Sequence, residues 1–141
     1  MADTLELELV SPESLLLTQS VEMVVVPGAE GDFGVLPGHA PMISNIRPGT
    51  LAIFEGGSVA QRFFIAGGFA EITEQRCTIL AEGAVLMDDI DRAALEQELR
   101  DLREDVSAAG DDADKSAATE SLEIAEAKLQ ALDAPAYSGT H

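Results

Sequence analysis

Hydrophobic and polar residues alternate with a period of two at the start of the chain. In "LELELV", leucines 5, 7 and 9 alternate with glutamates, and "SVEMVVV" repeats this spacing over residues 20–26. Such alternation is typical of strands with one buried face. Further short apolar runs continue to Met87, separated by Gly and Pro turn signals without any helical pattern. This arrangement predicts an antiparallel β-sandwich or barrel over residues 1–87, rather than parallel βαβ units.

The spacing of apolar residues changes after Met87. Apolar side chains then recur three or four residues apart, the period of an amphipathic helix, at Leu95, Leu99, Leu102 and Val106. After a break at Gly110, a second stripe follows at Ala118, Leu122, Ala125, Leu129 and Leu132. Two such helices joined by a short polar loop predict an antiparallel hairpin over residues 88–133, with residues 134–141 as a flexible tail.

Charged residues mark the start of the first predicted helix. Asp88, Asp89 and Asp91 are expected to supply the N-cap and the acidic first turn. Charges of alternating sign then recur four residues apart, at Arg92, Glu96, Arg100 and Glu104. Because isolated helices of this length are marginal in water, the hairpin should be weakly stable away from the sandwich. The hairpin is therefore a candidate moving part.

Two adjacent phenylalanines, Phe63 and Phe64, lie in one of the predicted strands. Neighbouring side chains on a strand point to opposite faces of the sheet. One ring can therefore fill the core of the sandwich. The other must be covered by something else, either the hairpin or a partner protein.

The charge balance narrows the possible partners. The formal net charge is −18, from 26 acidic and 8 basic residues in a chain of 141. Binding to nucleic acid or to anionic lipid depends on Lys and Arg, so neither is expected. Residues 1–87 carry 11 acids and 3 bases, and residues 88–141 carry 15 acids and 5 bases. No apolar run reaches the ~18 residues of a membrane helix and no targeting segment is visible, so we expect a soluble, intracellular protein without membrane insertion.

Residues with catalytic chemistry are sparse. The two histidines, His39 and His141, are too few for a histidine metal cluster, and the single Cys77 excludes a disulfide within the chain. We find no phosphate-binding loop, dinucleotide fingerprint or nucleophile elbow. The "DDAD" at residues 111–114 lacks the glycine and distal glutamate of a calcium loop and is interpreted as a helix cap. We therefore expect no catalytic residue, metal or cofactor, and a Cys77 that is a small buried hydrophobic residue.

Residues 27–49, "PGAEGDFGVLPGHAPMISNIRPG", combine repeated turn residues with apolar side chains. This stretch closely resembles the P-G-H-A-P region of the epsilon subunits of bacterial and chloroplast F-type ATP synthases, a family that includes the mitochondrial delta subunit. "FFIAGGFAEI" and "DDIDRAALEQEL" are similar to later segments of the same family. The resemblance extends over residues 4–106, and over the second predicted helix only in general character.

The resemblance implies a β + α fold, with a sandwich of about ten strands followed by a two-helix hairpin, in agreement with the two periods. It also implies a rotor role, in which one face of the sandwich packs on the gamma subunit and the turn-rich end rests on the c-ring. The residues that match these contacts are Gly31, Asp32, Phe33, Gly34, His39, Ala40, Pro41, Met42 and Ile43. For Asp32 a turn-forming role stays open, as does a hydrogen bond within its own loop for His39.

The sequence departs from the family at its ATP-binding motif, [IL]-D-x-x-R-A. Ile90 and Asp91 match, but Ala94 occupies the arginine position. Arg92 lies two residues too early, and Glu96 is its expected partner on the same helix. These departures disfavour ATP binding. An ATP-sensing, inhibitory regulator is kept as the alternative to a purely mechanical subunit.

Inhibition in the family relies on basic residues of the second helix, which meet acidic loops of the catalytic beta subunits. Here the second helix is dominated by acids, namely Glu120, Glu123, Glu126 and Asp133, against Lys115 and Lys128. Because like charges repel across an interface, we expect weak or absent inhibition and only a possible hairpin contact with the alpha and beta subunits. The expected location is the cytoplasmic face of a bacterial inner membrane, as a peripheral part of the complex. A free-standing ligand-binding sandwich is a further alternative. It is disfavoured because its pocket would need aromatic side chains, and the sequence has no Trp and one Tyr.

Overall fold

The computed structural model describes residues 4–136. In this part of the protein, ten strands precede one 3-10 turn and two helices. The strands are β1 (Leu5–Val10), β2 (Leu15–Val21), β3 (Met23–Gly28), β4 (Gly31–Val35), β5 (Met42–Ile46), β6 (Gly49–Glu55), β7 (Ser58–Ile65), β8 (Gly68–Ile72), β9 (Arg76–Ala81) and β10 (Ala84–Leu86). The 3-10 turn is Met87–Asp89, and the helices are α1 (Arg92–Ala108) and α2 (Asp112–Asp133).

The strands form one folded-over sheet in the order β10-β7-β6-β3-β5-β8-β9-β1-β2, with β4 paired to β3. Gln19 of β2 donates a hydrogen bond to Glu55 of β6 at 3.0 Å, although these strands lie far apart in the sheet order. The sheet therefore closes on itself as a sandwich, and the predicted β + α fold is confirmed. One described pair departs from the antiparallel rule, because β1 runs parallel to β9 with Leu7 opposite Cys77.

The period-two alternation places one face of each strand in a common core. Leu5, Leu7 and Leu9 are at most 2% exposed, whereas the glutamates between them are half-buried. Burying each such leucine contributes about 1.5–3 kcal/mol. The core draws on nine strands, and its other members include Val21, Val24, Val35, Ile46, Leu51, Ile65, Ile72 and Ile79.

The first helix begins later than the cluster of aspartates suggested. Asp88 and Asp89 lie in the 3-10 turn, and the extended backbone of Ile90 separates them from α1. The prediction that these aspartates supply the acidic first turn of the helix is therefore wrong, because Asp88 and Asp89 lie before α1 and its first turn holds no acid. Asp91 is the cap, since its Oδ1 accepts hydrogen bonds from the backbone N–H groups of Ala93 (3.0 Å) and Ala94 (3.2 Å).

The pairing of Arg92 also differs from the prediction. Its guanidinium forms an ion pair with Asp133, at the end of α2, rather than with Glu96 on its own helix. The antiparallel hairpin explains this choice, because it places the start of α1 beside the end of α2. At the other end of the hairpin, Asp111 caps α2 by accepting from the backbone N–H of Asp114 at 2.7 Å, as expected from "DDAD".

The hairpin packs against the sandwich through a small apolar cluster. Phe64 is 1% exposed and contacts a set that includes Met87 and Ala131. Phe63 instead packs against the sandwich core. The two adjacent rings thus point to opposite faces as predicted, and the hairpin is the element that covers Phe64. Of the tail predicted at 134–141, residues 137–141 lie outside the described residues.

Candidate functional site

The turn between β3 and β4 is built on two glycines that face each other in the strand pairing, Gly28 and Gly31. Gly31 has φ of +144°, a conformation that L side chains rarely adopt. A Cβ on Gly28 would lie 2.7 Å from the Gly31 carbonyl oxygen and 2.8 Å from the Phe33 ring. Gly28 is therefore required by close packing and Gly31 by its backbone conformation, and together they favour one shape for the candidate contact loop.

Arg47, in the loop between β5 and β6, forms contacts that hold this turn in place. Its Nη1 donates to the Gly28 carbonyl at 2.6 Å, and its Nη2 lies 2.6 Å from Oδ1 of Asp32. The ion pair is charge-assisted but 43% and 36% exposed, so it orients the carboxylate more than it stabilises the fold. Sequence reasoning missed Arg47, although it is one of three bases in residues 1–87 and directly precedes a Pro-Gly turn.

A groove of about 490 Å³ opens beside this turn. It brings together six of the nine predicted contact residues, namely Gly31, Asp32, Phe33, His39, Met42 and Ile43. The other three, Gly34, Ala40 and Pro41, are not part of its lining. His39 Nδ1 donates to the Ala40 carbonyl at 2.7 Å, the loop hydrogen bond considered from the sequence.

A partly exposed apolar row runs across the outer face of the sheet beside the groove. We define this outer row as Val10, Leu80 and Phe69, which are opposite one another on β1, β9 and β8. Phe69 is 44% exposed, and Ile43 on the next strand is 69% exposed. The row borders a shallow cavity of about 260 Å³. Sequence reasoning identified Ile43 but missed the row, because strand register is not visible in a single sequence.

The residues matched to the ATP-binding motif have structural contacts at the start of α1. Asp91 caps the helix, Arg92 pairs with Asp133, and Ile90 packs between the two apolar clusters of the hairpin. Each of these three side chains therefore has a structural contact at the start of α1.

Groups with metal-binding or nucleophilic chemistry do not cluster in the described part of the protein. No set of three or more His, Cys, Asp or Glu side chains there could hold a metal ion. Cys77 is fully buried in the core, as predicted, and desolvation raises the pKa of its thiol to about 12. A neutral thiol in an apolar core is a poor nucleophile. Neither described helix is long and apolar enough to cross a membrane.

Two family models match the sequence in succession. Residues 4–87 match the β-sandwich domain of the ATP synthase Delta/Epsilon chain, and residues 91–138 match the C-terminal domain of the ATP synthase epsilon chain. Among individual proteins, this one is 53% identical over 137 residues to the ATP synthase epsilon chain of Rhodospirillum centenum, with 94% of each sequence covered. It is 48% identical to that of Rhodospirillum rubrum, covering 93% of this sequence and 98% of the relative.

Solved structures support the same assignment. The fold is similar to a chain of the Euglena gracilis mitochondrial ATP synthase OSCP/F1/c-ring assembly, with a TM-score of 0.79, 29% identity, and coverage of 94% of this chain and 83% of the other. A chain of the Tetrahymena thermophila central stalk and c-ring assembly shares the fold at a TM-score of 0.66 and 16% identity, with 91% and 96% covered. The protein therefore belongs to the family of ATP synthase epsilon chains.

Proposed function

We propose that this protein is a non-catalytic central-stalk subunit of a proton-translocating F-type ATP synthase. Its role is mechanical, because it couples rotation of the c-ring to ATP synthesis in the catalytic head. The observation that carries this proposal is the pair of neighbouring surfaces, a groove at the turn end that holds Asp32 and His39, and a partly exposed apolar row on the adjacent sheet face. In the complex, the subunit lies at the cytoplasmic face of a bacterial inner membrane as a peripheral component.

The two surfaces suit two different partners. The groove, with Asp32 held by Arg47 and His39 held by its own loop, presents fixed polar groups to the polar loops of the c-ring. The outer row and Ile43 present apolar area that a large partner, the gamma subunit, buries. Such a division keeps the ring contact and the gamma contact rigid relative to each other, since both belong to one sheet.

The hairpin of this subunit is a weak inhibitor or none. In the docked hairpin, Lys128 lies over the Phe64 ring, with Nζ 5.6 Å from the ring centre, and so faces the sandwich. The exposed surface of α2 includes Glu120, Glu123 and Glu126. An acidic helix approaching acidic loops of the catalytic subunits loses free energy through like-charge repulsion.

The binding test uses mixtures of the purified protein with the gamma subunit and with a c-ring–gamma complex, followed by size-exclusion chromatography. We expect the wild-type protein to co-elute in both. Phe69→Asp should weaken gamma binding about tenfold or more, because a buried interface anchor is replaced by a charge. Ala117→Asp on exposed α2 is the matched control and should bind as wild type.

The ring contact is tested with the Asp32→Lys, His39→Ala double variant in the c-ring–gamma mixture. We expect weaker ring contact with gamma binding retained, and Glu98→Lys on α1 provides the same charge change away from the groove. If the wild-type protein elutes alone from both mixtures, the proposed rotor role is wrong. If both Lys variants behave alike, the groove is not the ring contact.

The hairpin's role is tested by deleting residues 88–141 and measuring ATP hydrolysis by the assembled complex. We expect a change of less than about twofold, which is within ~0.4 kcal/mol of barrier height. A large rise in hydrolysis would show that the hairpin does inhibit. A titration of the isolated full-length protein with ATP addresses the ATP-sensing alternative, for which we expect no binding at millimolar concentrations.

A further inference from the structure

The docked hairpin and the sandwich have net charge of the same sign. Residues 1–87 hold 11 acids against 3 bases, and residues 88–141 hold 15 acids against 5 bases. Their mutual repulsion opposes docking, and the apolar cluster around Phe64 is small. Side chains that bring a positive charge to this junction therefore have a large influence on where, and whether, the hairpin docks.

Arg62 is placed at this junction by the alternation of β7. It lies two residues before Phe64 and so shares its outward face, towards the hairpin. Its Nε donates a hydrogen bond of 2.8 Å to the backbone carbonyl of Ala136, just beyond the end of α2. The same side chain lines a cavity of about 220 Å³ with Asp88 and Leu132, between strand and hairpin.

The end of α2 lacks positive charge of its own. No basic residue occurs in its last turn, although the carbonyl groups at a helix C-terminus favour a cation. Other elements bring positive charge near it, since Arg92 of α1 pairs with Asp133 and Arg62 of β7 donates to the carbonyl of Ala136, three residues beyond the helix. Arg92 ties the two helices to each other, whereas Arg62 ties the helix pair to the sandwich.

We propose that Arg62 is the positioning residue that fixes the docked hairpin, by joining strand β7 to the end of α2. The end of α2 is then the point at which docking is released, while the two helices stay together through α1–α2 packing and the Arg92–Asp133 pair. The inference concerns the isolated protein and is independent of the proposed rotor function.

The test measures the hairpin position in the full-length protein by electron spin resonance distances. Spin labels are attached to cysteines introduced at Ser20 on the sandwich and Ser107 near the end of α1, both exposed. The native Cys77 is buried, with a thiol pKa of about 12, and will not take the label. The variant is Arg62→Gln, and the control is Arg76→Gln, which removes the same charge from an arginine paired with Glu6 on β1.

We expect the wild type and Arg76→Gln to give one matching distance distribution. Arg62→Gln should add a broad second population, with the undocked fraction raised about tenfold or more, since hydrogen bonds to charged groups are among the stronger ones. An unchanged distribution in Arg62→Gln would overturn the proposal, as would equal broadening in Arg76→Gln.

Amide hydrogen exchange separates release of the hairpin from general unfolding. If Arg62 acts as proposed, faster exchange in Arg62→Gln is confined to the helices and to β6, β7 and β10, which the hairpin contacts. Protection of β1 and β9 then stays at the wild-type level. Faster exchange throughout β1 and β9 would instead mean that Arg62 stabilises the whole fold, and the positioning role would be rejected.

Discussion

Replacing Phe64 by alanine should detach the hairpin without unfolding the sandwich. The ring is 1% exposed and packs with Met87 and Ala131, in a cluster separate from the sandwich core. Phe→Ala at a buried site costs about 3–5 kcal/mol, and the lost contact with Lys128 adds roughly 0.5–1 kcal/mol. Because its partners include the 3-10 turn and α2, most of this cost falls on docking. A loss of ~3 kcal/mol changes the docking equilibrium more than about 100-fold.

The assay is amide hydrogen exchange of the full-length protein, with Phe63→Ala as the matched control. The control makes the same chemical change one residue away, on the face that packs against the sandwich core. In Phe64→Ala we expect fast exchange in α1 and α2 with β1 and β9 still protected. In Phe63→Ala we expect reduced protection in the sandwich strands, because removing this ring leaves a cavity against the core that those strands share.

The pattern of exchange decides the outcome. If Phe64→Ala lowers protection evenly in the strands and helices, the ring stabilises one common core and the division into sandwich and docked hairpin is refuted. The same conclusion follows if Phe63→Ala and Phe64→Ala give indistinguishable patterns. A docked hairpin in Phe64→Ala would mean that the apolar cluster contributes far less than its burial suggests.

Three further predictions concern stability, measured by urea titration. Gly31→Ala should cost about 1–2 kcal/mol through its positive φ alone, whereas Gly68→Ala should cost more than about 3 kcal/mol, because its Cβ would lie 2.0 Å from the Leu80 carbonyl oxygen. Burial raises the pKa of the Cys77 thiol from 9.0 to about 12, so the unfolded protein loses this proton at lower pH than the folded protein does. As the pH rises through that range, the free energy of unfolding should fall by up to about 1.4 kcal/mol per pH unit. Cys77→Val should remove that part of the slope, and a wild-type slope would contradict it. Asp32→Asn should change the free energy of unfolding by less than about 1 kcal/mol, since the ion pair with Arg47 is solvent-exposed. A larger loss would show that this ion pair stabilises the fold.

Local patterns in the sequence were enough to predict the elements and their faces. The alternation of Leu5, Leu7 and Leu9 identified a buried strand face, and the stripe at Leu95 and Leu99 identified the buried side of α1. These patterns depend on side-chain periods that are set by backbone geometry. The opposite orientations of Phe63 and Phe64 followed from the same rule.

Contacts between distant segments were beyond such reasoning. Arg47 reaches Asp32 and Gly28 only because β5 returns beside the β3–β4 turn. The pairing of Arg92 with Asp133 depends on the hairpin rather than on spacing along one helix. Six of the nine predicted contact residues line one groove because they come from adjoining strands and turns, whereas the outer row needed the register of three strands.

The position of the docked hairpin bears on whether coupling needs it at all. The end of α2 and the candidate ring-facing turn share a cavity of about 250 Å³, lined by Asp32 and Arg47 on one side and by Ala131 and Ala134 on the other. Removing the hairpin would open this cavity. However, the atoms of the Arg47 contacts to Asp32 and Gly28 all belong to the sandwich. These two contacts therefore do not depend on residues 88–141, and under the proposed function a sandwich that still binds its partners would transmit torque through the sheet.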